Sequence, residues 1–166
     1  MGDPRKQRRM YSRPKHPWTG ERIGEENKLQ NEYGLKNKSE IWKAKAKVGR
    51  FRSIARELLG SDREDVYSKK REGELMTKLN QLGLLDSDVL EDVLSLKVND
   101  LLERRLQTRV YRKGLANTIN QARQFVTHCH VAVGDNVVNV PSYPVSMREE
   151  DLIKLVGVPM ITEKEK

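Results

Sequence analysis

Between Ser39 and Leu59 apolar residues recur at helical spacing. Ile41, Ala44, Val48, Phe51, Ala55, Leu58 and Leu59 fall on one stripe of a long predicted helix. Ser39 is its expected N-cap, Glu40 lies in the first turn, and Gly60 stops it. Residues 71–102 are acidic and leucine-rich, with Leu75, Leu79, Leu82, Leu85, Leu90, Val93 and Leu96, and predict short packing helices around Gly83 and the Asp86-Ser87-Asp88 turn. From about Val98 a second amphipathic helix is predicted to run to Gly114, with Leu102, Leu106 and Val110 at i, i+4 and i+8. A short helix capped by Asn117 or Thr118 follows, with Ile119, Ala122, Phe125 and Val126 on its apolar face. After His130 the period falls to two. Val131 and Val133, then Val138 and Val140, predict strands around the turn Gly134-Asp135-Asn136. Pro141-Ser142-Tyr143-Pro144 must be an extended loop or sheet edge, because proline forbids helix and lacks a donor. Residues 98–145 thus read helix, turn, helix, hairpin, loop, and the fold class is α+β.

Composition narrows the partners. Of 166 residues, 36% are hydrophobic and 34% charged, against about 25% charged in an average soluble domain. No run approaches the roughly 18 apolar residues of a membrane span. The net charge of +8 points to a polyanion, nucleic acid before lipid surface. The charge is also segregated: residues 1–60 carry 16 basic and 7 acidic side chains, residues 61–102 carry 6 and 10, and residues 103–148 carry 7 and 2. Two cationic blocks flanking an acidic one suggest two surfaces that face one polyanion. The single cysteine, Cys129, excludes an internal disulfide and a cysteine-rich zinc site, and no apolar leader follows Met1, so a reducing, cytosolic protein is expected.

Candidate contacts follow from where the cations lie. Residues 1–25 hold Pro4, Pro14, Pro17 and seven basic residues, including Arg5, Lys6, Arg8, Arg9, Arg13 and Lys15; the segment reads as an extended tail, either solvated or folded along nucleic acid. Lys45, Arg52 and Arg56 line one flank of the first long stripe, and Lys43, Lys47 and Arg50 the other, with acids only at the ends. This favours phosphate contact over a solubility face, which would carry Glu–Lys pairs. Arg105, Arg109 and Arg112 form a row on the second helix, with only Glu103 nearby. Together with Arg104, Lys113 and Arg123 they are expected to meet phosphates, because the guanidinium fork suits them. Asn117, Thr118, Gln121, Gln124 and Ser142 are expected to bond phosphate oxygens or 2′-hydroxyls. Tyr143 either stacks on a base or packs on its own module. No catalytic residue, metal or cofactor is expected. His128 and His130 lack a third ligand, neither a Gly-x-x-x-x-Gly-Lys loop nor a Gly-x-Gly-x-x-Gly fingerprint is present, and the acids sit in polar turns.

Several ordered segments carry a resemblance. Leu102-Glu103-Arg104-Arg105-Leu106, Tyr111-Arg112-Lys113-Gly114-Leu115-Ala116, Thr118 to Gln124, His130-Val131 and Val140-Pro141-Ser142-Tyr143 resemble the RNA-binding module of the small-subunit ribosomal protein S-four family. Arg13-Pro14-Lys15-His16-Pro17-Trp18 and Tyr33-Gly34-Leu35-Lys36-Asn37-Lys38, with Trp42, resemble its archaeal and eukaryotic form, and the resemblance covers about residues 1–150. It implies a basic arm over residues 1–25, a helical domain over 26–102, an alpha-L-like RNA-binding module of two helices on a short sheet over 103–150, and a tail over 151–166. It implies a structural constituent of the small ribosomal subunit that binds its rRNA at a helix junction of the 5′ domain, early in assembly and near the decoding region. The implied partners are that rRNA and neighbouring ribosomal proteins, with no membrane and no small-molecule substrate. The alternative is an RNA-modifying or mRNA-regulatory protein with an accessory module of this type. Three departures stand out. No cysteine precedes Cys129, so the zinc cluster of some members is not carried over. Cys129 stands where glycine is common, and Asn120 where a basic residue is common.

Overall fold

The computed structural model describes residues 9–61, 65–85, 87 and 89–157. Among the described residues seven α-helices, one 3-10 turn and three strands follow in the order α1 (Gly20–Glu32), α2 (Lys38–Leu59), α3 (Val66–Gln81), the 3-10 turn Leu90–Ser95, α4 (Val98–Glu103), α5 (Leu106–Arg112), α6 (Ile119–Thr127), β1 (Val131–Val133), β2 (Asn136–Val137), α7 (Met147–Glu150) and β3 (Ile153–Leu155). The α+β class expected from the sequence is the class observed.

α2 buries Ile41, Ala44, Val48, Phe51, Ala55 and Leu58, the stripe its periodicity predicts. The C-terminal half of that stripe meets Leu75, Met76 and Leu79 of α3 and Leu90, Val93 and Leu96 of the acidic segment. Its N-terminal half meets Tyr33, Leu35 and Leu102 in a separate cluster. A third cluster lies inside the C-terminal module, where Leu106 and Val110 of α5 and Ala122 and Val126 of α6 pack on Val131, Val133, Val145 and Ile153.

Several expectations require correction. Ser39 does not cap α2; Asn37 occupies the N-cap position in extended backbone. The basic arm is shorter than residues 1–25, because α1 already begins at Gly20. The acidic segment holds one 16-residue helix, α3, rather than only short ones. The helix expected from Val98 to Gly114 is two helices. Arg105 is extended, at φ −75° and ψ 143°, between α4 and α5. Its pairing explains the break: Arg105 bridges Pro144, the Leu106 amide donates to the Tyr143 carbonyl (2.8 Å), and the Val145 amide donates to the Arg104 carbonyl (2.8 Å). The proline-rich loop has few donors but offers carbonyls, and these satisfy amides in the first turn of α5 that no helix can. Leu102 and Leu106, expected on one stripe, therefore enter different cores.

The sheet is antiparallel in the order β2-β1-β3, with Ala132 opposite both Val137 and Lys154. Residues expected as a C-terminal tail thus supply β3, while Val138 and Val140, expected in a strand, both lie outside β2, and Asn136, expected in the turn, begins it. His128 and His130 do not share a strand: His128 ends α6 and His130 precedes β1.

Four helices end in the same turn. The amides of Leu35, Leu84, Leu115 and His130 each reach back to the carbonyl five residues earlier. The residue before each amide is left-handed: Gly34, Gly83 and Gly114 in three cases, and Cys129 at φ 62° in the fourth. This is the Schellman turn, for which glycine is the usual choice. The backbone is therefore left-handed at Cys129 despite its Cβ.

Candidate nucleic-acid interface

The six cations assigned to the C-terminal module do not stand free. Arg105 and Arg123 converge on Glu40 of α2, Arg105 Nη2 at 2.5 Å from Oε2 and Arg123 Nη2 at 3.0 Å from Oε1. Arg104 and Arg109 converge on Glu150, at 2.8 and 3.1 Å. Arg112 Nη2 lies 2.8 Å from Glu103, and Lys113 donates to the Glu150 carbonyl and lies 3.9 Å from Asp151. The row Arg105, Arg109 and Arg112 therefore faces three different carboxylates. The expectation that only Glu103 neutralises it is overturned, because Glu40 of α2 and Glu150 of α7, both remote in sequence, pair with Arg105 and Arg109. Arg104 also donates through Nε (3.0 Å) and Nη2 (2.8 Å) to the Gly83 carbonyl, tying the module to the end of α3.

Glu40 and Gln107 are linking residues that the sequence did not mark. Gln107 is fully buried; its Nε2 donates to the carbonyls of Tyr33 (3.2 Å), Gly34 (3.1 Å) and Ile119 (3.2 Å), and its Oε1 accepts from Arg123 Nη1 (3.2 Å). The two residues join α1, α2, α5 and α6 into one frame. For Glu40, burial alone would raise the carboxyl pKa, but the hydrogen bonds and charges of Arg123 and Arg105 outweigh it and hold the group below its usual range. Glu103 shows the same balance: burial raises it, and the hydrogen bonds from Arg112 and Tyr33 lower it further. No signal in the sequence marks Glu40, whose partners lie 65 and 83 residues away.

The cations of α2 behave oppositely. Lys43, Lys45, Lys47, Arg50 and Arg56 are exposed, and no ion pair engages any of them among the described residues. Arg52 is the exception: it is half-buried and donates to the Leu96 carbonyl, so its assignment to phosphate is replaced by a structural tie. The two flanks read from the sequence border two grooves. Lys43, Lys47 and Arg50 border one of about 470 Å³ between α2 and the Pro141–Pro144 loop, which Arg105, Arg123 and Ser142 also line. Lys45 and Arg52 border another of about 430 Å³, which Arg13 and Pro14 of the arm also line.

The arm is laid on the helices by its own contacts. Tyr11 sits 6.1 Å from the Trp42 ring, with Arg9 and Lys43 each 5.9 Å from the Tyr11 centroid. Arg22 donates to the carbonyls of His16 (3.1 Å) and Pro17 (2.6 Å). Lys15 is exposed, whereas Arg5, Lys6 and Arg8 lie outside the described residues.

The polar candidates of α6 divide. The Thr118 hydroxyl accepts from the Gln121 amide (3.2 Å), and Gln121 Oε1 accepts from the Asn117 amide (2.8 Å), so these groups cap the helix. Gln124 is exposed. Tyr143 is half-buried against the module core and donates to Glu149 (2.8 Å), so of its two readings the structure gives packing.

A helical body bearing an exposed cationic row is thus locked to a small α+β module, and residues 104–153 of that module match the S4 domain. Over most of its length the chain is similar to proteins named Small ribosomal subunit protein uS4. It is 54% identical over 154 residues to that of Ignicoccus hospitalis, covering 92% of each chain. It is 48% identical over 166 residues to that of Methanococcus aeolicus, covering 98% of this chain and 93% of the relative. With the Saccharolobus solfataricus protein it shares 50% identity over 155 residues, 92% of this chain and 84% of the relative. The chain belongs to the uS4 family.

Proposed function

We propose that this protein is a structural constituent of the small ribosomal subunit, in the cytoplasmic ribosome, and that it binds small-subunit rRNA through two linked surfaces. One is the exposed row Lys43, Lys47 and Arg50 on α2, with Lys45, Arg56 and the arm residues Arg9, Arg13 and Lys15 around it. The other is the polar face of the module, with Asn117, Gln124 and the exposed side of Arg112. The observation that carries this reading is the unpaired row on α2 held at a fixed distance from an S4 domain by the Glu40 clasp. Two contact sets on one rigid frame raise each other's effective concentration, which suits a junction of several RNA helices. The finer placement follows the resemblance: a junction in the 5′ domain, occupied early in assembly and close to the decoding region, with other ribosomal proteins as neighbours. The chemistry is binding, with no catalytic step assigned. Among the described residues no helix is long and apolar enough to cross a membrane.

The test is filter binding of the whole chain to a transcript of the 5′ domain of small-subunit rRNA across a salt series. Log affinity falls linearly with log salt, and replacing Lys43, Lys47 and Arg50 together by Gln lowers the slope by about 2–3. The same variant keeps its melting temperature, because no ion pair engages any of the three among the described residues. A flat salt response, or an unchanged slope in the triple variant, would overturn the proposal.

A further inference from the structure

The groove between α2 and the Pro141–Pro144 loop has two kinds of surface. Lys43, Lys47 and Arg50 form an exposed cationic rim, while Ala44, Leu102 and the two prolines provide apolar walls. Arg105 and Arg123 also border it, and both are held by a single carboxylate, Glu40. That pairing changes what the guanidiniums offer. Nη2 of Arg105 and both Nη groups of Arg123 are engaged and their charge is offset, which makes them poor phosphate clamps. The side chain of Arg105 is 9% exposed and that of Arg123 23%, so Arg123 offers the groove the larger fixed guanidinium surface, and a flat guanidinium held in place is a stacking surface for a nucleobase. Ordering these side chains costs nothing further on binding. At about 470 Å³ the groove lies in the size range of small-ligand sites and has no room for a double helix.

Resting on the reading of the chain as an rRNA binder, we propose that this groove receives a single unpaired nucleotide of the RNA. Its base lies against the Arg123 guanidinium and the Pro141 and Pro144 rings, and its phosphates meet Lys43, Lys47 and Arg50. The charge arrangement favours this occupant. The rim demands an anion, the walls demand an apolar plane, and an extruded nucleotide presents both within one residue. The protein would then read an irregularity of the junction as well as its backbone.

The experiment uses the whole chain bound to the 5′-domain transcript. Ultraviolet crosslinking followed by mass spectrometry of the attached peptides is expected to place a nucleotide on the segment holding Pro141–Pro144 or on that holding Leu101–Arg105, and chemical probing is expected to show that nucleotide unpaired. In parallel, Ser142→Leu narrows the mouth of the groove at an exposed position without touching a charge. It is expected to weaken binding about tenfold with the salt slope unchanged. Crosslinks confined to other peptides, or full affinity in the Ser142→Leu protein, would overturn the groove inference while leaving a salt-dependent rRNA binder. Absence of salt-dependent binding by the wild-type chain would overturn the rRNA reading and this inference together.

Discussion

Replacing Glu40 by Gln tests the clasp between α2 and the module. The side chain of Arg105 is 9% exposed and that of Glu40 19%, so this pair is largely removed from water. Breaking a buried pair by deleting one partner costs about 3–5 kcal/mol, because the remaining charge stays desolvated. Two features reduce that here. Some solvent reaches the site, and Arg123 retains Gln107 Oε1 at 3.2 Å and the Gly34 carbonyl at 3.4 Å. The expected loss is about 2–3 kcal/mol, which for a chain of this size lowers the melting temperature by about 5–10 °C. A double-mutant cycle should assign a larger coupling to Glu40 with Arg105 than to Glu40 with Arg123. A loss below about 0.5 kcal/mol, or equal couplings, would refute the reasoning. The clasp is also pH-dependent with a definite sign. The folded pKa of Glu40 is depressed below its ordinary 4.5, so its contribution is present above that value and disappears as the pH falls through the lower folded one. Acid titration of the wild type against Glu40→Gln should show the stability difference closing only in that acid window.

Cys129→Gly should stabilise the fold by about 0.5–1 kcal/mol in urea melts, since it removes a side chain from left-handed backbone in a turn that uses glycine at its three other occurrences; a loss of stability would show that the thiol contributes packing that its exposure does not suggest. Gly83→Ala should cost about 2 kcal/mol, because the backbone there is left-handed and an added Cβ would stand 1.8 Å from Arg104 Nη2 and 2.8 Å from Met147 Cγ, which forces Arg104 off the Gly83 carbonyl. In a background carrying both Arg104→Ala and Met147→Ala the cost of Gly83→Ala should shrink toward the roughly 1 kcal/mol of the left-handed backbone, measured by the same melts.

What the sequence discloses depends on how far apart the interacting residues lie. The α2 stripe is legible because its six buried residues repeat within one helix, and the two cationic flanks are legible for the same reason. The Thr118 cap is legible because donor and acceptor are three residues apart. The break at Arg105 is not, since the carbonyls that support it come from Pro141 and Tyr143. β3 has three residues, too few for alternation to register, and it exists through its pairing with β1. The error over the arginine row has the same origin. Counting acids near Arg105, Arg109 and Arg112 in sequence finds Glu103, whereas the fold brings in Glu40 and Glu150 from either side.

The internal ion pairs differ in how readily RNA can take over the cation. A phosphate approaching Arg105 has to displace Glu40 from a site where both partners are largely buried, and would leave that carboxylate desolvated and unpaired. Arg112 is another case. Its side chain is 52% exposed and that of Glu103 32%, so their pair is worth at most about 1 kcal/mol. Glu103→Gln should therefore release Arg112 to the RNA and raise affinity for the 5′-domain transcript by up to about fivefold at low salt. The amide oxygen of Gln can still accept from Tyr33, whose hydroxyl lies 3.1 Å from Glu103, so the fold should survive with a modest loss. The gain should vanish when Arg112→Gln is added to the same chain. If Glu103→Gln leaves affinity unchanged while the transcript still binds with a steep salt slope, then Arg112 does not face the RNA, and the module contacts it through Asn117 and Gln124 without help from its arginines.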